Sequence, residues 1–165
     1  MNESAPLPVD AGVLITIAAA TGDWECLSML ERPIIVTPVV QDEIQCGPSG
    51  RPGVATPMSS CMSVWPEPVV LPPWLRGVLD EGGEASVIAL ALEQGWPEVA
   101  IDDKAGRSVA MTCRLRLTGS LGLLIRAKRK GFPVMLSTAI GRIRAANIWL
   151  SPEVERTALR QAGEA

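Results

Sequence analysis

The stretch Val99-Ala100-Ile101-Asp102-Asp103 decides the fold class, because in it a strand-type apolar run ends in two adjacent carboxylates. Leu7-Pro8-Val9 stops in a similar way at Asp10, and Ile34-Ile35-Val36 stops at a proline-led helix start. Helical patterns separate these runs along the chain. Strands that alternate with helices predict an α/β fold in which a parallel sheet is covered by helices on both faces.

The chain has 165 residues, which fit a single domain, residues 1–165. Proline and glycine separate its predicted strands and helices. A fourth strand is expected at residues 115–117. Helices are expected at about 12–20, 24–30, 38 onward, 73–79, 85–94, 107–113, 121–130, 136–146 and 152–162. The stretch 47–68 holds five prolines and three glycines, and it predicts a long loop or flap inside the domain.

Acidic residues recur where predicted strands end or helices begin. They are Asp10, Glu43, Glu84, Asp102 and Asp103. In parallel sheets, ligands bind beyond the carboxyl ends of the strands, so these side chains are expected to face one crevice. A cluster of carboxylates is unfavourable unless protons or a cation neutralise it, and oxygen ligands suit Mg²⁺ or Mn²⁺. The pattern predicts a metal-dependent enzyme that acts on phosphates.

Composition excludes several other kinds of site. The chain has no histidine, which removes Ser-His and Cys-His catalysis and histidine metal sites. Its four cysteines are widely spaced and are expected to be reduced and mostly buried. The N-terminus lacks the features of a signal peptide and the apolar runs are too short to span a bilayer. We therefore expect a cytoplasmic protein with no membrane contact.

Charge is distributed unevenly along the chain. Residues 1–103 hold fifteen acids and three basic residues, whereas residues 104–165 hold three acids and twelve basic residues. An acidic centre beside a basic surface suits a negatively charged polymer. Attraction between the two halves within the fold explains the pattern nearly as well. Arg126, Arg129 and Lys130 share a helical face and are candidates to bind an RNA backbone, although a solvated helix face is the simpler account.

The five tryptophans are expected mostly in the core. Trp65 and Trp74 flank the proline-rich stretch, where they could also stack on a base or meet a protein partner.

Four stretches together resemble the PIN-like nuclease domains, in particular a prokaryotic subgroup related to the toxins of toxin–antitoxin pairs. The likeness covers roughly residues 8 to 165. Its motifs are Val9-Asp10-Ala11-Gly12-Val13-Leu14-Ile15, Thr37-Pro38-Val39-Val40-Gln41-Asp42-Glu43-Ile44, Gly83-Glu84-Ala85 with Ile88-Ala89-Leu90-Ala91, and Ile101-Asp102-Asp103-Lys104-Ala105-Gly106-Arg107 with Thr118-Gly119-Ser120-Leu121-Gly122-Leu123-Leu124. The resemblance implies a three-layer α/β/α sandwich and Mg²⁺- or Mn²⁺-dependent cleavage of RNA.

The resemblance also assigns roles to the acids. Catalysis would fall to Asp10, Glu43, Glu84 and Asp103. Metal ligands would come from Asp10, Glu84, Asp102 and Asp103. Because consecutive side chains diverge, one of the two adjacent aspartates is expected to face the metal and the other to cap the next helix. Asp103 is placed in the site and Asp102 is the alternative.

Each acid also has an ordinary structural explanation. Asp10 could be only an N-cap, Glu84 only a first-turn acid, and Glu43 an exposed helical acid. Supporting roles near the acids are expected for Arg107, Thr118 and Ser120, against a surface ion pair and helix capping as the simpler accounts.

One departure from the family pattern motivates a rival hypothesis. Many members follow the first Asp with Thr or Ser, whose hydroxyl can orient the carboxylate, whereas Ala11 and Gly12 follow Asp10 here. A catalytically inactive PIN-like interaction scaffold is therefore the alternative to a ribonuclease. The expected partners are an RNA substrate, an antitoxin protein if the chain is a toxin, and a second copy of the chain in a homodimer.

Overall fold

Five short parallel strands form the centre of the chain in a computed structural model, which describes residues 5–165. They are β1 Leu7–Pro8, β2 Ile34–Val36, β3 Met62–Val64, β4 Glu98–Ala100 and β5 Arg116–Thr118. β2 pairs with β1 on one side and with β3 on the other, and β4 pairs with β5. A parallel bridge between Val9 and Ala100 joins the two groups in the order β3-β2-β1-β4-β5. Residues 1–4, on which the expectation of no signal peptide partly rests, lie outside the described part.

The order of the strands reverses between β1 and β4. From β1 the chain builds outward through β2 and β3, and it then returns to place β4 and β5 on the other side. In open parallel sheets, such a reversal leaves a crevice at the carboxyl ends of the two central strands, where ligands bind. The backbone N–H of Asp10 donates to the carbonyl of Ala100 at 3.0 Å, so the residues after β1 and β4 meet at this crevice.

Eight α-helices and one 3-10 helix surround the sheet in the described part of the chain. They are α1 Ala11–Thr21, the 3-10 helix Glu25–Leu30, α2 Pro38–Gln45, α3 Pro73–Arg76, α4 Gly83–Gln94, α5 Lys104–Thr112, α6 Ser120–Arg129, α7 Leu136–Ala145 and α8 Pro152–Ala162. α1, α6, α7 and α8 pack with one another, and α4 packs against α2, α3 and α5. The expected α/β/α fold with a mainly parallel sheet is confirmed.

Local signals set the helix boundaries. The Thr37 hydroxyl accepts a hydrogen bond from Val40 N at 3.2 Å, and Pro38 occupies the first turn of α2, where its missing N–H costs nothing. Gly95 ends α4 in the left-handed conformation, with φ of 67°. Both boundaries agree with the sequence expectations.

The expected loop or flap at residues 47–68 also contains a strand, β3. Met62 pairs with Ile34 and Val64 with Val36 at the edge of the sheet. The sequence signal for this strand is weak, because the strand has only three residues and lies in a stretch rich in proline. Prolines are tolerated beside an edge strand, where fewer backbone groups need partners.

The tryptophans are less buried than the sequence suggests. Trp24 is buried, and its indole N–H donates to Leu14 O at 2.8 Å. Trp65 and Trp96 meet edge to face with their ring centres 5.7 Å apart. Trp74 is 49% exposed and Trp149 is 81% exposed, so the expectation of core positions fails for these two.

All four cysteines are free thiols, as expected, but of the four only Cys26 is fully buried, and Cys46 is exposed.

No helix in residues 5–165 is both long enough and apolar enough to cross a membrane.

Candidate functional site

Asp10 lies at the carboxyl end of β1, where the sheet order reverses, and only 2% of its surface is exposed. Its Oδ2 atom accepts a hydrogen bond from Gly12 N at 3.2 Å, which caps α1. Its Oδ1 atom is buried and has no hydrogen-bond partner among the described residues. A buried acceptor without a donor is costly, so this oxygen is suited to a proton or a cation. The capping role and the ligand role are thus compatible, because they use different oxygens.

Burial and neighbouring charge both disfavour the ionised form of Asp10. Burial raises the pKa of Asp10 most, the negative charges of Glu84 and Glu43 also raise it, and backbone hydrogen bonds lower it, so that together these effects bring the pKa to about 7. Burial also raises the pKa of Glu43, against the hydrogen bond from Gly83 that lowers it. Carboxyl groups in this situation are neutralised by protons or by a bound cation.

Gly83 leaves open the space that two of these carboxylates face. Its backbone N–H donates to Glu43 Oε1 at 2.8 Å. A Cβ atom at position 83 would lie 2.6 Å from Asp10 Oδ1 and 2.6 Å from Glu43 Oε2. A Cβ at Gly82 would lie 3.3 Å from Glu43 Oε1 and 3.6 Å from Glu84 Oε2, which places Glu84 beside the same turn. The glycine pair therefore brings carboxylates from β1, α2 and α4 close to one backbone segment.

Glu84 connects this group to the first turn of α5. Its Cγ atom lies 3.0 Å from the position that a Cβ of Gly106 would take. Asp103 Oδ2 accepts a hydrogen bond from Gly106 N at 2.9 Å and thereby caps α5. Glu84 and Asp103 thus both approach Gly106.

The division of roles expected for the two adjacent aspartates is reversed in one respect: Asp103, and not Asp102, caps the helix that follows. α5 begins at Lys104, which puts Asp103 at the capping position. Asp102 Oδ1 instead accepts a hydrogen bond from Ser120 N at 2.9 Å, at the start of α6. Because the cap uses only Oδ2 of Asp103, the metal-binding role of either aspartate remains a prediction.

The supporting residues contact the backbone more than the acids. Arg107 Nη1 donates to Ile101 O at 2.8 Å and lies 3.5 Å from Thr118 O. Ser120 meets Asp102 through its backbone N–H and not through its hydroxyl. The buried Thr118 hydroxyl lies 3.0 Å from the position a Cβ of Gly122 would take. These residues fix the ends of β4 and β5 and the start of α6 around the crevice.

The acids line the crevice without forming one compact group. Within residues 5–165, no set of three or more Asp, Glu, Cys or His side chains is arranged to hold a metal ion. Asp10, Glu43, Asp102 and Asp103 each have one oxygen bound to a backbone N–H. The space beside Gly83 and the unpartnered Oδ1 of Asp10 fit a small cation with oxygen ligands. Binding of Mg²⁺ or Mn²⁺ at Asp10 and Glu43 stays a prediction.

A cleft of about 930 Å³ adjoins these acids between α1, α5, α6 and the segment that joins α7 to α8. It begins at Gly12, whose N–H binds Asp10, and its walls include Lys104, Arg107 and Trp149. No sequence pattern assigns a functional role to Lys104 or Trp149. Sequence carries no signal for either, because only tertiary packing places residues 104 and 149 in one cleft.

The three basic residues expected to bind RNA lie at the far end of α6. Arg126 pairs with Glu98 at 3.0 Å and Lys130 with Glu31 at 2.8 Å. Arg129 donates to Gln161 O at 3.1 Å. α6 begins at the crevice and has ten residues, so it is about 15 Å long. The structure does not bring these side chains to the acids, and their RNA-binding role remains a prediction.

Comparison with known proteins gives one match. A family model described as a PIN domain matches residues 8–164. Neither a curated protein nor a solved structure was found to match the chain.

Proposed function

Because this chain belongs to the PIN domain family, whose members are generally nucleases, we propose that it is a metal-dependent endoribonuclease. One observation carries the proposal. Asp10 presents a buried, unpartnered Oδ1 to the space beside Gly83 that Glu43 Oε2 also faces. Two carboxylates that face one small space, one of them buried, repel each other when ionised, and a bound cation would relieve this repulsion.

Asp10, Glu43, Glu84 and Asp103 would hold Mg²⁺ or Mn²⁺, directly or through water, with Asp102 as the alternative to Asp103. A bound cation would supply a water of lowered pKa and would neutralise charge on the phosphate oxygens. Lys104 and Arg107 place positive charge in the adjoining cleft, where it would hold the phosphate backbone of the RNA.

The Asp10 carboxylate keeps a hydrogen-bond donor even though the residues after it depart from the family pattern. The N–H of Gly12 takes the place of a hydroxyl and holds Oδ2 at 3.2 Å. Gly12 is itself held, since the Thr16 hydroxyl donates to its carbonyl at 2.8 Å. This geometry favours a ribonuclease over the interaction scaffold. An antitoxin chain and a second copy of this protein are proposed as partners on the strength of the sequence resemblance alone.

Cleavage of an end-labelled RNA by the purified protein tests the proposal. We expect cuts with Mn²⁺ or Mg²⁺ and none with EDTA, because the acids need a cation to activate water. Asp103→Asn, purified in parallel, is expected to lose this activity and controls for a contaminating nuclease. A folded protein that neither cuts RNA nor binds Mn²⁺ would instead support the interaction scaffold.

A further inference from the structure

Trp149 is the most exposed large apolar side chain of the cleft next to the acids, with 81% of its surface open to solvent. Single exposed apolar residues are common and need no explanation by themselves. This one lies in the same cleft as Gly12, whose N–H holds Asp10, so its position relates it to the proposed site.

The segment that carries Trp149 is anchored on both sides. Asn147 turns the chain with φ of 59°, and Ile148 N donates to Ile143 O at 3.2 Å. Ile148 and Leu150 pack against the core. Ser151 then caps α8 by accepting from Val154 N at 3.2 Å. The indole between these anchors is presented to the cleft at little further loss of entropy on binding.

The other walls of the cleft suit a phosphate group. Lys104 is exposed and makes no ion pair within residues 5–165, and Arg107, three residues further along α5, also lines the cleft. Leu121 and Gly122 begin α6, where N–H groups have no acceptor within the helix. The cleft thus combines positive charge, N–H donors and an aromatic face, which match the two parts of a nucleotide, with Asp102 and Asp103 of the proposed site.

We propose that Trp149 is a stacking platform for a nucleobase of single-stranded RNA, next to the acids that cleave it. This inference rests on the proposed ribonuclease function and names the form of its substrate. An unpaired base has a free face for the indole, whereas the bases of a duplex are already stacked on each other. Lys104 carries a positive charge, and the cleft extends to Gly12, whose N–H binds Asp10. Both features favour RNA over a protein partner at this surface.

Binding of a short fluorescein-labelled single-stranded oligouridine, followed by anisotropy in EDTA, tests the platform without cleavage. Trp149→Ala is expected to raise the Kd by about fivefold to a hundredfold, the range for loss of one stacked base. Trp149→Phe should retain most of the affinity because it keeps a flat ring. Met135→Ala is the control, since Met135 is an exposed apolar residue at the start of α7 that does not line the cleft, and this variant should bind as the wild type does.

An oligonucleotide with abasic sites completes the test. It should bind the wild type as weakly as the intact RNA binds Trp149→Ala, and the variant should bind both RNAs equally. Intact RNA bound equally by wild type and Trp149→Ala would overturn the platform and leave the ribonuclease proposal standing. Loss of a dimer in Trp149→Ala, with RNA binding unchanged, would assign the indole to a protein contact. A folded wild type that binds no RNA in EDTA would overturn the platform, whereas the ribonuclease proposal is tested separately by cleavage with Mn²⁺.

Discussion

Asp10→Asn is expected to lower metal-dependent RNA cleavage by on the order of 10²- to 10³-fold, which corresponds to the several kcal/mol that a catalytic metal contributes. The amide keeps the size of the side chain and an acceptor for Gly12 N–H but removes the negative charge from the oxygen that faces Gly83. Single-turnover cleavage rates in saturating Mn²⁺ measure the effect. Asp42→Asn is the matched control, because Asp42 is an exposed acid beside Glu43 in α2. A wild-type rate in Asp10→Asn would remove Asp10 from the site.

The same substitution is expected to change stability in a pH-dependent way when no metal is present. The pKa of Asp10 is about 7 in the folded chain and 3.8 for the ordinary group, so the folded state binds the proton more tightly. Its contribution to stability is complete below about pH 4 and is lost as the pH rises through 7. The difference of about three pKa units corresponds to a loss of at most ~4 kcal/mol by pH 8.

Asn carries no ionisable proton, so Asp10→Asn should gain stability over the wild type as the pH rises from 5 to 8. Urea unfolding in EDTA at the two pH values measures this change. A difference between the two proteins that is the same at both pH values would show that Asp10 is not held in its protonated form.

Gly83→Ala is the second change with a large expected effect. The added Cβ would lie 2.6 Å from Asp10 Oδ1 and from Glu43 Oε2, so both carboxylates would have to move. We expect the affinity for Mn²⁺ to fall by about 10- to 100-fold, the range found when groups that orient metal ligands are removed. RNA cleavage should fall with it. Calorimetric titration with Mn²⁺ gives the affinity directly.

Gly141→Ala provides the matched control for that substitution. Gly141 lies in α7, and a Cβ there would meet no heavy atom of the described chain within 4 Å. Alanine is a better helix former than glycine, so this variant should gain up to about 1 kcal/mol of stability and bind Mn²⁺ normally. Wild-type Mn²⁺ affinity in Gly83→Ala would mean that the cation does not occupy the space beside Gly83.

The parts of the fold that the sequence predicts well are those with local signals. α2 begins at Pro38 because Thr37 caps it, and β2 spans Ile34–Val36 because its residues are β-branched and apolar. β3 was missed because a three-residue strand among prolines is defined by its pairing with β2, which lies far away in sequence.

The candidate site shows the same division between local and tertiary information. Spacing predicts that Arg126, Arg129 and Lys130 share a helical face, but it does not show that they lie at the opposite end of α6 from Ser120, which meets Asp102. The two aspartates after β4 are likewise interchangeable in sequence. Only the start of α5 at Lys104 makes Asp103 the cap.

Anomalous scattering from crystals grown with Mn²⁺ tests the central claim most directly, because it locates the cation without relying on activity. We predict a manganese peak bonded to Asp10 Oδ1, in the space that Gly83 leaves open beside Glu43. A well-ordered crevice with no manganese there, at a concentration that saturates binding in solution, would contradict the account.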